Sequence, residues 1–205
     1  LKEFGVEPVV VDVFDAEALR RAVMRARPDF VIHQLTDLPA GLDPAKMREA
    51  SARNARLRDE GTRNLIDASL AGGARRFVAQ SISFVYAGMF EEATPTPFTE
   101  ESPLDTDPAS MFATTVGGIT SLESQVLEYP HEGGLVLRYG MLYGTGTGFD
   151  KPNPGGAIHV DSAAYAAQLA LTQGLPGVYN ITEDDGTVSS MKAVRGLGWD
   201  PGFRI

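Results

Sequence analysis

Short runs of apolar and β-branched residues alternate along this chain with segments of helical periodicity, and the runs are too apolar for a sheet with one face in water. That alternation restricts the chain to a largely parallel sheet covered by helices on both faces, a doubly wound α/β architecture. Its axis is residues 74–87, Ala-Arg-Arg-Phe-Val-Ala-Gln-Ser-Ile-Ser-Phe-Val-Tyr-Ala. Phe77, Val78 and Ala79 suit a central strand, and Gln80, Ser81 and Ser83 follow at its carboxyl end, where open parallel sheets bind their ligands. Hydroxyls at such a position either satisfy the loop backbone or form part of a site.

Val9, Val10 and Val11, followed by Asp12 and Asp15, read as a strand, a turn and then a helix over 16–26 with Leu19, Val23 and Ala26 on its apolar face. A strand at 30–34 feeds a loop at 35–41. Ala50, Asn54, Leu57, Gly61, Leu65 and Ala68 recur at intervals of three and four, so 44–71 reads as one long helix with Asn54 the polar member of its buried stripe. Returning antiparallel to its strands, that helix carries Asn54 toward their carboxyl ends, as a cap at a helix break or as part of a site. Residues 89–108, rich in Pro, Thr and Glu, read as a surface loop over the site edge, 113–128 as a helix and 135–139 as a strand. The glycines between Gly140 and Gly148 are followed by Phe-Asp-Lys-Pro-Asn-Pro where a phosphate cradle needs a helix N-terminus, so they read as a flexible loop. A strand at 156–160, a helix at 161–173, a strand at 177–182 and a short helix at 191–196 complete the pattern.

Composition excludes several function classes. Residues 1–100 carry 13 basic against 15 acidic groups and residues 101–205 carry 5 against 12, the opposite of a nucleic-acid binder. Arg53, Arg56, Arg58 and Arg63 cluster, but Asp59 and Glu60 among them indicate a solvated, ion-paired face. There is no cysteine, no His-Glu-x-x-His and no Gly-x-Ser-x-Gly, so thiolate, zinc-protease and serine-hydrolase chemistry have no carriers. His33, His131 and His159 lie far apart, and His159 either orders a strand-helix junction or touches the site. With no apolar run of membrane-spanning length, a soluble, cytoplasmic protein is expected, without nucleic-acid or membrane partners. The opening Leu-Lys-Glu-Phe-Gly is neither a signal peptide nor an initiator methionine.

Seven segments in order resemble the extended and atypical short-chain dehydrogenase/reductases, specifically their NAD-dependent epimerase/dehydratase-like group. They are Asp12-Val-Phe-Asp15, Asp29-Phe-Val-Ile-His-Gln-Leu-Thr36, Glu60-Gly-Thr-Arg-Asn-Leu65, Arg76-Phe-Val to Val85-Tyr86, Leu137-Arg-Tyr-Gly-Met-Leu-Tyr-Gly144, His159-Val-Asp161 and Gly177-Val-Tyr-Asn-Ile181. The resemblance implies a Rossmann-like sheet binding NAD or NADP and an oxidoreductase or epimerase/dehydratase acting on a small carbonyl or sugar-like substrate. Asp12 would approach the adenine, Leu35 and Thr36 would line the ribose and pyrophosphate path, Gln80 and Ser81 would flank the nicotinamide, and Tyr139 to Leu142 would close over it. Asn54 counts with these among the cofactor-binding residues. The cofactor domain would span 1–148, with a small substrate-side segment at 149–205 interleaved with the last strands. Relatives that dimerise through the helices matching 44–71 and 113–128 make a homodimer possible.

Two departures from the family pattern stand out. Its glycine-rich phosphate turn belongs to a first strand that this sequence lacks, so the first two strands of the sheet would be missing and the strand at 9–11 would stand across a gap from that at 30–34. A longer protein is therefore expected. The Tyr-x-x-x-Lys pair, which exchanges a proton during hydride transfer, aligns with Thr115 and Ile119, and the Ser/Thr position aligns with Ile82. Ser81, Tyr86 and Tyr143 are the remaining hydroxyls expected near the nicotinamide. A non-catalytic cofactor sensor or scaffold is the alternative.

Overall fold

The computed structural model describes residues 4–39, 43–91 and 97–205. In chain order the elements are α1 (Ala16–Ala26), β1 (Phe30–His33), α2 (Pro44–Arg56), a π-helical turn (Leu57–Gly61), α3 (Thr62–Gly72), β2 (Arg76–Ile82), α4 (Ala113–Leu127), β3 (Gly134–Tyr139), β4 (Met141–Tyr143), β5 (Ala157–His159), α5 (Val160–Ala170), β6 (Gly177–Ile181) and α6 (Met191–Leu197). Strands β1, β2, β3 and β6 form a parallel sheet in that spatial order, and β4 pairs with β5 alongside it. The expected α/β layering is present. Asp15 caps α1 by accepting from the Ala18 amide, which places its start at the residue the Asp signal indicates.

Period-two alternation in the central strands sends successive side chains into two cores. Phe77, Ala79 and Val136 pack with Leu122 and Val126 of α4 and with Tyr129, while Val78, Leu135 and Leu137 pack with Ala163, Ala166 and Ala170 of α5 and with Leu197 and Trp199. The small residues on α5 let it lie close to the sheet, and Trp199 fixes the tail by donating to the Ser162 carbonyl at 2.9 Å. Helices α2 and α4 also cross closely, since a Cβ on Gly118 would fall 2.8 Å from the Ala55 Cα. Strand β6 enters the main sheet beside β3, so the C-terminal third of the chain builds part of the central layer.

Three expectations are corrected. Residues 9–11 form no strand: Val9 is 60% and Val10 102% exposed, and among the described residues nothing lies beside them to complete a ladder. β1 is instead the edge of the sheet. The helix read over 44–71 is split by the π turn at 57–61, which shifts the register between α2 and α3. The glycine loop contains β4, because Gly140 permits a backbone approach in which any Cβ would sit 2.1 Å from the Gly156 carbonyl oxygen. Parts of the loops read at 35–41 and 89–108, namely 40–41 and 92–96, lie outside the described residues.

Candidate functional site

The carboxyl ends of β1, β2 and β3 gather most of the polar residues that the sequence singled out. At β1, buried Asn54 clamps the following loop. Its Oδ1 accepts from the Thr36 hydroxyl at 3.1 Å and the Asp37 amide at 2.9 Å, and its Nδ2 donates to the Asp37 carbonyl at 2.8 Å and the Ala50 carbonyl at 3.1 Å. Asn54 thus satisfies backbone groups of helix and loop together, which is the first of the two roles that its position in the stripe suggested. His33 beneath it bonds Thr62 Oγ1 at 3.0 Å and accepts from the Leu35 amide at 3.2 Å. Burial, aided by the charge of Arg58, lowers its pKa to about 4, so it is a neutral structural ring.

The clamp holds open a cavity of about 210 Å³ lined by Phe14, Leu35, Thr36, Asp37, Arg53 and Arg56 among others. Its apolar floor suits a flat base, and its guanidinium rim suits anionic oxygens. Arg56 lies 4.0 Å over the Phe14 ring and pairs with Glu60, while Arg53 pairs with Asp37 and Glu49, so the arginine face is ion-paired as expected yet borders a cavity. Asp12 is exposed and accepts from the Phe14 amide, shaping the turn that presents Phe14 to this cavity. Gln34 reaches the Tyr139 hydroxyl at 3.5 Å, and burial pushes that phenol's pKa up. Gln80 is half-buried in β2, and Leu142 packs against the α5-side core.

Ser81 and Tyr86 are joined in one closed network. The Ser81 hydroxyl, fully buried, donates to Glu123 at 2.7 Å. Arg138 grips Glu123 with two bonds of 2.8 and 2.6 Å and donates to the Tyr86 hydroxyl at 2.9 Å, which donates on to Asn180 at 2.6 Å. Burial by itself lowers the Arg138 pKa, but the hydrogen bond and charge of Glu123 outweigh it and hold the guanidinium charged. Burial raises the Tyr86 pKa despite the adjacent arginine. Both hydroxyls are buried and hydrogen-bonded within the protein. Glu123 and Arg138 were not singled out as functional residues, although a charge within Leu-Val-Leu-Arg-Tyr signals a buried partner.

The next side chain along β2 enters a different environment. Ile82 packs in one apolar cluster with Val85, Val116 and Ile119, flanked by Phe84, Leu104 and Phe112. Ile82 and Ile119, the two positions that the resemblance matched to a serine and a lysine, thus belong to one cluster. No tyrosine in this sequence is followed by a lysine four residues on. Ser83 beyond them is buried, and its hydroxyl has no hydrogen-bond partner among the described residues.

Tyr143 stands apart from Ser81 and Tyr86. Its hydroxyl donates to Glu183 at 2.9 Å, Arg204 donates to it at 3.1 Å, and its ring meets His159 edge-on at 5.1 Å. Partial burial and then the Glu183 carboxylate raise its pKa. His159 caps α5 by accepting from the Asp161 amide at 3.3 Å, which is the junction role, while its ring contacts this tyrosine. Among the described residues no group of acidic and histidine side chains is arranged to hold a metal, and no helix is long and apolar enough to cross a membrane.

An open parallel sheet whose polar loops collect at the strands' carboxyl ends is an α/β protein of Rossmann type. Within that class the chain belongs to the NAD dependent epimerase/dehydratase family, whose sequence profile matches residues 2–167. It is 42% identical over 197 residues to a 3-diazoavenalumate denitrifying reductase from a Streptomyces species, covering 86% of this chain and 62% of that relative. The chain therefore spans less than two thirds of the relative's length. UDP-glucose 4-epimerase from Thermotoga maritima, crystallised with UDP-glucose, shares the fold with a TM-score of 0.71 at 20% identity, over 95% of this chain and 79% of that one. A dTDP-glucose 4,6-dehydratase from Streptomyces venezuelae, crystallised with NAD, superposes with a TM-score of 0.69 at 18% identity, over all of this chain and 79% of that one.

Proposed function

We propose that this chain carries the cofactor cleft and substrate side of an NAD(P)-dependent reductase that passes hydride to a small substrate without the family's tyrosine-lysine proton relay. The carrying observation is that Ile82 and Ile119, which the resemblance matches to the family's serine and lysine, share one apolar cluster, because an alkyl side chain can neither give nor take a proton. The bound nicotinamide would supply or accept the hydride. The chain's residues would hold the adenosine end in the cavity beside Phe14, Leu35 and Thr36, with the loop fixed by Asn54, and Gln80 and Tyr139 to Leu142 would border the nicotinamide. Ser81 and Tyr86 would hold the floor of the site through Glu123 and Arg138 rather than move protons.

Two kinds of acceptor are compatible with this wall. A small carbonyl or sugar-like substrate leaves an alkoxide on reduction, and Tyr143, whose hydroxyl is bonded to Glu183 and Arg204, would be the phenol that gives it a proton and is reprotonated from solvent. A diazo substrate in its diazonium form, suggested by the name of the reductase relative, gains hydride at carbon and releases dinitrogen, leaving no oxygen to protonate. The second reading is a cofactor sensor without turnover, favoured by the same apolar cluster.

Fluorescence titration with NADH and NADPH, followed by turnover assays on carbonyl, sugar and aryl diazonium panels, tests the proposal. Saturable binding with turnover supports the reductase, and binding without turnover supports the sensor. No binding of either nucleotide overturns both. Tyr143→Phe abolishes carbonyl turnover if that phenol is the acid and leaves diazonium reduction intact.

A further inference from the structure

A second cavity of about 210 Å³ borders the apolar cluster of Ile82 and Ile119, with Phe84, Val85 and Phe112 belonging to both. Phe90 forms another wall, and the acidic residues Glu91 and Asp105 are among those that line it. Asp105 is held in place, accepting from the Ser110 hydroxyl at 2.6 Å. Phe90 stacks on Phe112 with centroids 5.5 Å apart and 24° between the rings, yet it is 68% exposed, so one of its faces is open. The described residues that line the cavity include no lysine or arginine. Arg138, on the other side of Tyr86, is committed to Glu123 and to the tyrosine hydroxyl.

We propose that this cavity is the substrate subsite and that it takes a flat aromatic ring, uncharged or cationic, and refuses nucleotide diphosphates. Its meaning as a substrate site rests on the hydride-transfer reading above, whereas its ligand class rests on its own walls. Size decides the first part: a cavity of roughly 150 Å³ holds benzene, while sites for drug-sized ligands run to about 300–1,000 Å³. The space beside Phe90 is therefore of the size of a substituted ring, and a larger ligand would have to extend out of it into solvent. Charge decides the second part. The carboxylates and the negative faces of the phenylalanine rings attract a cation, and they repel a diphosphate that no lining guanidinium or ammonium neutralises. The open face of Phe90 supplies an offset-stacking partner for the incoming ring.

Ligand-observed NMR titration of the full chain, in the absence of any nicotinamide nucleotide, tests this with phenyltrimethylammonium, benzamide, benzoate and UDP-glucose as probes. The cationic and neutral rings are expected to bind about tenfold more tightly than benzoate, and UDP-glucose is expected not to displace them. Phe90→Ala should weaken both ring probes roughly fivefold at an unchanged melting temperature. Glu91→Gln should bring the cation's affinity down to that of benzamide. Displacement by UDP-glucose, equal binding of benzoate and the cation, or no effect of Phe90→Ala overturns the proposal. Ring-probe failure alongside saturable NADH binding removes only the aromatic subsite, and failed NADH binding with intact ring binding removes only the reductase reading.

Discussion

Ser81 and Ile82 are adjacent in sequence, yet they open onto regions of opposite character. On the Ser81 side, a carboxylate, a guanidinium, a phenol and an amide are sealed from water with each hydroxyl and charge partnered. On the Ile82 side, hydrocarbon fills the space and a cavity opens beyond it. The difference teaches that polarity at a strand's carboxyl end does not by itself mark chemistry. A buried ion pair is tolerated only when its geometry offsets the cost of leaving water, and here the Ser81 and Tyr86 hydroxyls belong to that geometry. The cavity lies on the apolar side, and its acidic lining residues, Glu91 and Asp105, come from loops.

The largest effect should come from breaking the charged region. Glu123→Gln leaves Arg138 buried without its counter-charge and is expected to cost about 3–5 kcal/mol in urea unfolding, whereas Glu123→Leu combined with Arg138→Met should cost less than the single change. If the single change is neutral, the network is not the sealed structure described. Ile119→Lys tests the other side. An ammonium forced into that cluster loses about 3 pKa units, or about 4 kcal/mol, and should unfold the chain at lower urea without creating a proton relay. Gained carbonyl turnover would show that the cluster is wetter and more adaptable than its packing indicates.

Acid should act through His33, which belongs to neither region. Its folded pKa of about 4 lies below its unfolded 6.5, so the unfolded chain binds the extra proton first. Stability attributable to this ring is complete above about pH 6.5 and falls by about 3 kcal/mol as pH drops toward about 4. Urea midpoints measured across that window should show the slope, and His33→Asn should flatten it. The smallest effect, about 2 kcal/mol, is expected for Asn54→Ala, which leaves the Asp37 amide and the Thr36 hydroxyl without their acceptor. It should also weaken NADH binding, because the loop it clamps lines the cavity at β1.

Much of the architecture was legible in local patterns. The caps, the period-three-and-four stripes and the apolar strand runs placed α1, β2, α4 and β6 within a few residues, because each of those signals is carried by neighbours in the chain. The polar stripe member Asn54 was visible in the same way. Residues 9–11 show the limit, since β-branched composition favours an extended backbone but a strand also needs a partner that composition does not name. The π turn was hidden for a related reason: 44–71 keeps its helical periodicity while the backbone gains a residue.

By itself, then, the sequence determined the class of fold, the order of most of its elements and the absence of any tyrosine followed four residues on by a lysine. Only the tertiary structure decided that Ile82 and Ile119 share one apolar cluster, that Ser81 and Tyr86 are hydrogen-bonded to Glu123 and Arg138, and that Phe90 and Phe112 stack at the edge of a cavity. The physical reason is that propensity and periodicity are short-range properties of the chain. Burial, charge pairing and empty space depend on which distant residues the fold brings together.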